Sequence, residues 1–283
     1  MSVAIITDST ACLPPELAER YGIGIVPLHL IFGGRTFVDS MTADTHEFYE
    51  LLRTSSGRPT TAAPSPGMFL RAIGEAARAA DSVLCVTVSK QFSAMYDSAR
   101  QAIELARAES PGLDVRIVDS RNAAMAQGFV VLEAARAAQA GAGIDAVVAT
   151  VEEMATRVTL LAMLDTLSYL ARGGRVPWVA AWAAGVLQVK PIVRFTASDI
   201  RLLARTRTRR RALERMGDLL AELTAGRRVH LAVHHANAPA DAERLLAAAR
   251  ARVDLAEAYV SEFTQVMGVH TGPGLAGFAF WTE

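Results

Sequence analysis

The run His270-Thr271-Gly272-Pro273-Gly274 is where residue types and spacing in this chain come nearest to chemistry. Glycines on either side of Pro273 let the backbone turn sharply and come close to a ligand, while the proline stiffens the turn. A histidine held on such a loop can donate to an anion or move a proton near neutral pH. The same run also reads as a tight surface turn that carries a histidine. It lies just before a final apolar stretch, Leu275 to Trp281, that has the pattern of a closing strand.

Hydroxyl-rich clusters stand where strand-like runs give way to helical ones. They are Thr7-Asp8-Ser9-Thr10, Thr60-Thr61 ahead of Pro64-Ser65-Pro66-Gly67, Ser89-Lys90-Gln91-Phe92-Ser93, and Asp119-Ser120. A helix N-terminus offers free N–H donors and partial positive charge, so each could receive a carboxylate or a phosphate. Each is equally an ordinary helix cap.

Other chemistries are poorly supported. No G-x-S-x-G elbow, no G-x-x-x-x-G-K-[ST] phosphate loop and no G-x-G-x-x-G after a strand occurs. His234-His235 lacks the spacing of a metal pair and reads as the end of a strand, so no metal is expected. The basic run Arg205 to Arg211 could meet nucleic-acid phosphate, but it is short, lacks aromatics and leads into a helix with acidic residues. It reads as a solvated helix start, or as a place from which one arginine grips a phosphate bidentately. No nucleic-acid partner is expected.

Those residues need a frame. Strands are expected at Val3–Thr7, Ile25–Ile31, Val83–Val88, Val115–Val118, Thr159–Met163, Val189–Phe195, His230–His234 and Ala256–Val260. Helical patterns cover Pro66–Ala79, Ser93–Ala108, Asn122–Ala140, Asp145–Arg157, Arg209–Leu223 and Pro239–Ala251. The alternation predicts an α/β protein with largely parallel sheets flanked by helices. Ser65-Pro66 and Asp119-Ser120 mark helix starts. Composition changes near residue 157, giving an N-terminal α/β lobe, 1–157, and a C-terminal α/β lobe, 158–283.

The 283 residues carry 29 basic and 29 acidic side chains, so net charge favours neither nucleic acid nor a membrane surface. Two cysteines, Cys12 and Cys85, are too few for a disulfide framework or a zinc site, which suggests a cytoplasmic protein with free thiols. The N-terminal run has no basic n-region of a secretory signal. The longest apolar stretch, Trp178 to Val189, is interrupted by Gly185 and Gln188 and is too short to span a bilayer. A hydrophobic content of 51% suits alanine-rich helices, or a cavity that holds something apolar.

Taken in order, these segments resemble the DegV family over the whole chain. The matching pieces are Thr7 to Thr10, Pro59-Thr60-Thr61 with Pro64 to Gly67, Ser89 to Ser93 with Tyr96 and Ser98-Ala99, and Val118 to Arg121. They continue with Asp165 to Arg175, Lys190-Pro191-Ile192, Arg207-Thr208-Arg209 and His270 to Gly274. The resemblance implies a two-lobe fold with a ligand tunnel between or within the lobes, holding a long-chain fatty acid and no cofactor. It implies a non-catalytic substrate carrier of a fatty acid kinase system, whose separate ATP-binding subunit phosphorylates the acyl carboxylate for phospholipid metabolism. Transient membrane contact is compatible with that role.

On the same resemblance, Thr61, Ser93 and His270 hold the carboxylate, and Arg207 lies near the head group or its phosphate. Arg172 and Arg175, on the Gly173-Gly174 turn, contact the kinase subunit. The chain departs from the family at Ala62-Ala63 and Ala94-Met95, and bulky Met95 bears on chain length or saturation. A stand-alone enzyme acting on a small carboxylated or phosphorylated metabolite in the cleft between lobes is the alternative. A nucleic-acid-binding regulator using Arg205 to Arg211 is a third reading.

Overall fold

The computed structural model describes residues 2–283 apart from 43, 44, 55, 56, 58, 177, 178 and 180–188. Trp178, Trp182 and nearly all of the apolar stretch to Val189 therefore lie outside the described residues. The chain divides into two compact units, Met1–Thr42 with Thr60–Thr156, and Ala43–Pro59 with Arg157–Glu283. Segment Ala43–Pro59 precedes the boundary expected near 157 but groups with the second unit.

Strands of the first unit are β1 (Val3–Asp8), β2 (Gly24–Val26), β3 (His29–Phe32), β4 (Arg35–Val38), β5 (Thr60–Ala62), β6 (Ser82–Thr87) and β7 (Asp114–Asp119). A parallel sheet runs β2-β1-β6-β7. Every residue of β6 is buried, as expected of a strand covered on both faces. Helix Ala124–Gln139 packs beside β1, and Gly128 lets it approach the turn that follows β1: a Cβ there would stand 3.0 Å from the Ala11 carbonyl.

Three expectations change here. The single strand expected at Ile25–Ile31 is two strands, because Pro27 has no N–H for a ladder and falls between them. Its first half joins the parallel sheet as β2, and its second half, β3, lies in an antiparallel sheet of order β4-β3-β5. Gly33 and Gly34, both at positive φ, make the two-residue turn between β3 and β4. Thr60-Thr61, expected as a turn ahead of a helix, is strand β5. Pro66 does open the following helix, Pro66–Ala76. Asp119-Ser120 caps no helix; Asp119 accepts the N–H of Arg121 at 2.8 Å, and the next helix begins only at Ala124.

The second unit holds β8 (Thr159–Met163), β9 (Lys190–Phe195), β10 (Ile200–Thr206), β11 (Val229–His235), β12 (Leu255–Glu262) and β13 (Ala276–Thr282). They form one sheet, β10-β9-β8-β13-β11-β12. The expectation of largely parallel sheets fails here: only β11 and β12, joined by helix Pro239–Arg250, run parallel. A helix between two strands makes them parallel only if it carries the chain to a like-directed neighbour. β9 and β10 are joined by a short turn, and β13 inserts antiparallel between β8 and β11. Gly277 permits that insertion, since a Cβ there would meet the Leu161 carbonyl at 2.2 Å. Leu161, Ile192, Leu231, Val233 and Phe278 build a core against Met216, Leu220 and Leu245 of two helices. Among the described residues no helix is long and apolar enough to cross a membrane.

Candidate functional site

In the first unit the structure ties the two hydroxyl segments together. Thr61 lies opposite Leu30 in the β3–β5 register, and Leu30 lies opposite Phe37 on β4. Directly paired residues share a sheet face, so the Thr61 hydroxyl belongs to the face of buried Leu30 and half-buried Phe37. Thr61 is itself half-buried. Ser93 is half-buried too, at the end of the turn that follows β6. Ser89 shapes that turn: its Oγ accepts the Gln91 N–H at 3.3 Å and its carbonyl accepts the Phe92 N–H at 2.9 Å. Five residues beyond Ser93, the Ser98 hydroxyl donates to the Pro64 carbonyl at 2.6 Å, joining helix Met95–Glu109 to the chain just past Thr61. Met95, between them, is fully buried.

Behind these segments lies a closed polar network. Asp8 Oδ2 accepts the Val88 N–H at 2.8 Å and the Gln127 amide at 3.0 Å, while Oδ1 accepts the Thr10 N–H at 3.0 Å and is in very close contact with the Thr10 hydroxyl. That hydroxyl also lies 3.1 Å from Gln127 Oε1. One hydroxyl proton cannot serve two acceptors fully. If Asp8 is protonated, its O–H donates to Thr10 and Thr10 donates to Gln127, and every group is satisfied. Burial pushes the Asp8 carboxyl up in the same direction, against hydrogen bonds from Thr10, Val88 and Gln127 that lower it. The cluster Thr7 to Thr10 is thus a cap and an internal brace.

A separate cleft of about 480 Å³ opens over β7, with Lys90, Tyr96, Asp119, Arg121 and Glu152 in its walls. Its lining includes neither Thr61 nor Ser93, and its charged walls do not suit an alkyl chain.

In the second unit His270 is not on a loop. It lies in the last turn of helix Gln265–Thr271, which Thr264 caps by accepting the Met267 N–H at 3.4 Å. Gly173 packs against its imidazole; a Cβ there would stand 3.0 Å from Nδ1. His270 and the Arg172-Gly173-Gly174-Arg175 turn are therefore neighbours. Burial, and then the nearby Arg175 charge, push the His270 imidazole down to about 4, so it is neutral at pH 7. Arg172 and Arg175 are exposed. Arg172 lies over the Tyr169 ring, 4.6 Å from its centroid, and Arg175 donates to the Gly173 carbonyl at 2.8 Å.

Arg207 is exposed, in the turn between β10 and helix Arg209–Thr224. Arg209, two residues on, is half-buried and meets Asp241, Asp165 and the Gly274 carbonyl. Lys190 shares Asp165, and Arg244 shares Asp241. Asp241 carries no local motif and was not singled out in sequence. Tyr49 was missed as well; its hydroxyl donates to the Phe263 carbonyl at 3.0 Å, and its ring fills the space beside Gly268. Among the described residues no group of three or more His, Cys, Asp or Glu could hold a metal ion.

These features define an α/β protein with braced hydroxyl turns in one unit and a packed, neutral histidine in the other. The chain belongs to the DegV family: that family, described as an uncharacterised protein family, matches residues 2–283. A DegV domain-containing protein of Streptomyces coelicolor is 38% identical over 278 residues, covering 97% of this chain and 96% of the relative. Among solved structures, a DegV family protein of Thermus thermophilus with fatty acid binding aligns at TM-score 0.90 and 29% identity, covering all of both chains. DegV of Bacillus subtilis, a fatty acid binding protein, aligns at TM-score 0.84 and 31% identity, again over all of both chains.

Proposed function

We propose that this protein binds a long-chain fatty acid and presents its carboxylate to a separate ATP-dependent kinase subunit, which forms the acyl phosphate. The observation that carries the first half is the full-length likeness to fatty-acid-binding DegV proteins at 29% and 31% identity. Thr61 and Ser93 supply hydroxyls to the carboxylate, and His270 supplies an imidazole. Hydroxyls and a neutral imidazole suit a carboxyl group leaving water, because a buried charge left without hydrogen bonds is very costly. The acyl chain adds about 0.8 kcal/mol for each buried methylene. The exposed guanidinium groups of Arg172 and Arg175, beside His270, offer the kinase subunit a contact, and Arg207 meets the head group or its phosphate.

Mass spectrometry of lipid extracted from the natively purified chain tests the reading. A near-stoichiometric long-chain fatty acid is the expected result. An empty protein that also refuses added fatty acid would end it, and turnover of a small carboxylated metabolite by the chain alone would replace it with an enzyme. Acyl phosphate formation that needs both this chain and an ATP-binding partner would support the kinase half.

A further inference from the structure

Residues 268–274 bring His270 into place, and one side chain grips the far end of that segment. Arg209 is the first residue of helix Arg209–Thr224, whose cap, Thr208, accepts the Arg211 N–H at 3.3 Å. All three guanidinium nitrogens are used. Nε pairs with Asp241 Oδ2, Nη1 lies 3.2 Å from Asp165 Oδ1, and Nη2 donates to the Gly274 carbonyl at 2.8 Å. Neither carboxylate is free to follow Arg209 elsewhere. Asp165 is also held by Lys190, and Asp241 is buried in the first turn of helix Pro239–Arg250 and shared with Arg244.

Gly274 is held through both of its peptide groups. Its N–H donates to the Ala236 carbonyl at 2.7 Å. Its φ is +85°, and a Cβ there would stand 3.3 Å from both Arg209 Nη1 and Asp165 Cβ. From Gly274 back to His270 the chain has little slack. Gly272 donates to the Gly268 carbonyl at 2.8 Å, and its open face is filled by the Tyr169 ring. The guanidinium thus fixes one end of a short rigid segment, and His270 sits four residues from that end.

We propose that Arg209 is the positioning residue for His270: by holding the Gly274 carbonyl from Asp165 and Asp241, it sets where the imidazole stands beside Gly173. The consequence for ligand binding rests on the proposed carboxylate role of His270. A planar fork with three fixed N–H directions is needed, so lysine does not substitute.

The test uses the full chain with Arg209→Lys, and palmitate as the probe. Expected are a shift of the His270 imidazole ¹⁵N resonances and roughly a tenfold loss of palmitate affinity, the size of one charge-assisted hydrogen bond. The resonances of His230, at the opposite end of β11 and stacked on Trp281, should not move. Asp241→Asn loosens the same grip while leaving Arg209 in place, and a smaller shift in the same direction is expected. It decides the matter if Arg209→Lys does not fold. Unmoved His270 resonances in a folded variant would overturn the proposal. His270→Ala separates this from the functional reading: unchanged palmitate affinity there would remove His270 from the carboxylate, while the resonances still decide what Arg209 does.

Discussion

Gly173 is held against the imidazole of His270 so closely that a methyl group on it would stand 3.0 Å from Nδ1. Gly173 ends a short helix, so alanine there costs little backbone energy and gains about 1 kcal/mol of helix propensity at most. The methyl must instead displace the ring by a few tenths of an ångström. Gly173→Ala should therefore keep its thermal midpoint nearly unchanged and lose several-fold in fatty-acid affinity, read by isothermal titration with palmitate. Full affinity would mean that the exact seat of His270 does not matter to the ligand.

Thr61 and Ser93 should act together. Thr61→Val keeps the shape of the side chain on the face it shares with Leu30 and Phe37, and removes only the hydroxyl. Ser93→Ala does the same at the turn. Each hydrogen bond to a carboxylate contributes about 1.5–3 kcal/mol, so each substitution should weaken retention roughly tenfold or more. Lipid recovered per mole of purified variant is the simplest reading. A double variant that still carries its full complement would take both residues out of the head-group site.

His270 should stay neutral through physiological pH. Its folded value, about 4, lies below the ordinary 6.5, so the stability it contributes is complete above 6.5 and lost as pH falls towards 4. His234 is fully buried and is pushed down to about 3 by burial and then by His235, so it adds to the same acid sensitivity. NMR titration of the imidazoles checks both midpoints. A bound carboxylate near His270 favours its charged form, so its midpoint should rise on loading with palmitate. An unshifted midpoint would separate the ring from the ligand.

Asp8 has the opposite sign. Its folded value is raised above 3.8, so its contribution is complete below 3.8 and declines as pH rises through the folded value. Asn cannot lose a proton, although its amide faces the Thr10 N–H that Asp8 Oδ1 accepts. Measured by urea unfolding, wild type should lose stability relative to Asp8→Asn as pH rises from about 4 to 7. A difference that stays flat with pH would show an ionised Asp8.

The α/β class, the positions of most strands and the proline start at Pro66 were legible because apolar periodicity and Pro or Gly punctuation are local signals. Strand direction was not, since nothing in the residues of β9 or β13 tells which neighbour they pair with. Helix Gln265–Thr271 is not marked in the sequence, because Val266, Gly268 and Val269 are weak helix formers. The Thr264 cap and the Tyr49 ring beside Gly268 override that preference. Likewise, the partners of Arg209 stand 44 and 32 positions away, beyond the reach of any spacing rule.

The place of β13 has a consequence for biosynthesis. The parallel sheet of the first unit has all its strands by residue 119, and it can close while the rest of the chain is still being made. The sheet of the second unit cannot, because residues 276–282 fill its middle, between β8 and β11. Until they leave the ribosome, β10-β9-β8 and β11-β12 are two half-sheets with bare, hydrogen-bond-hungry edges. At about 5–20 residues per second, that exposure lasts several seconds in each round of translation, a window in which chaperones matter most.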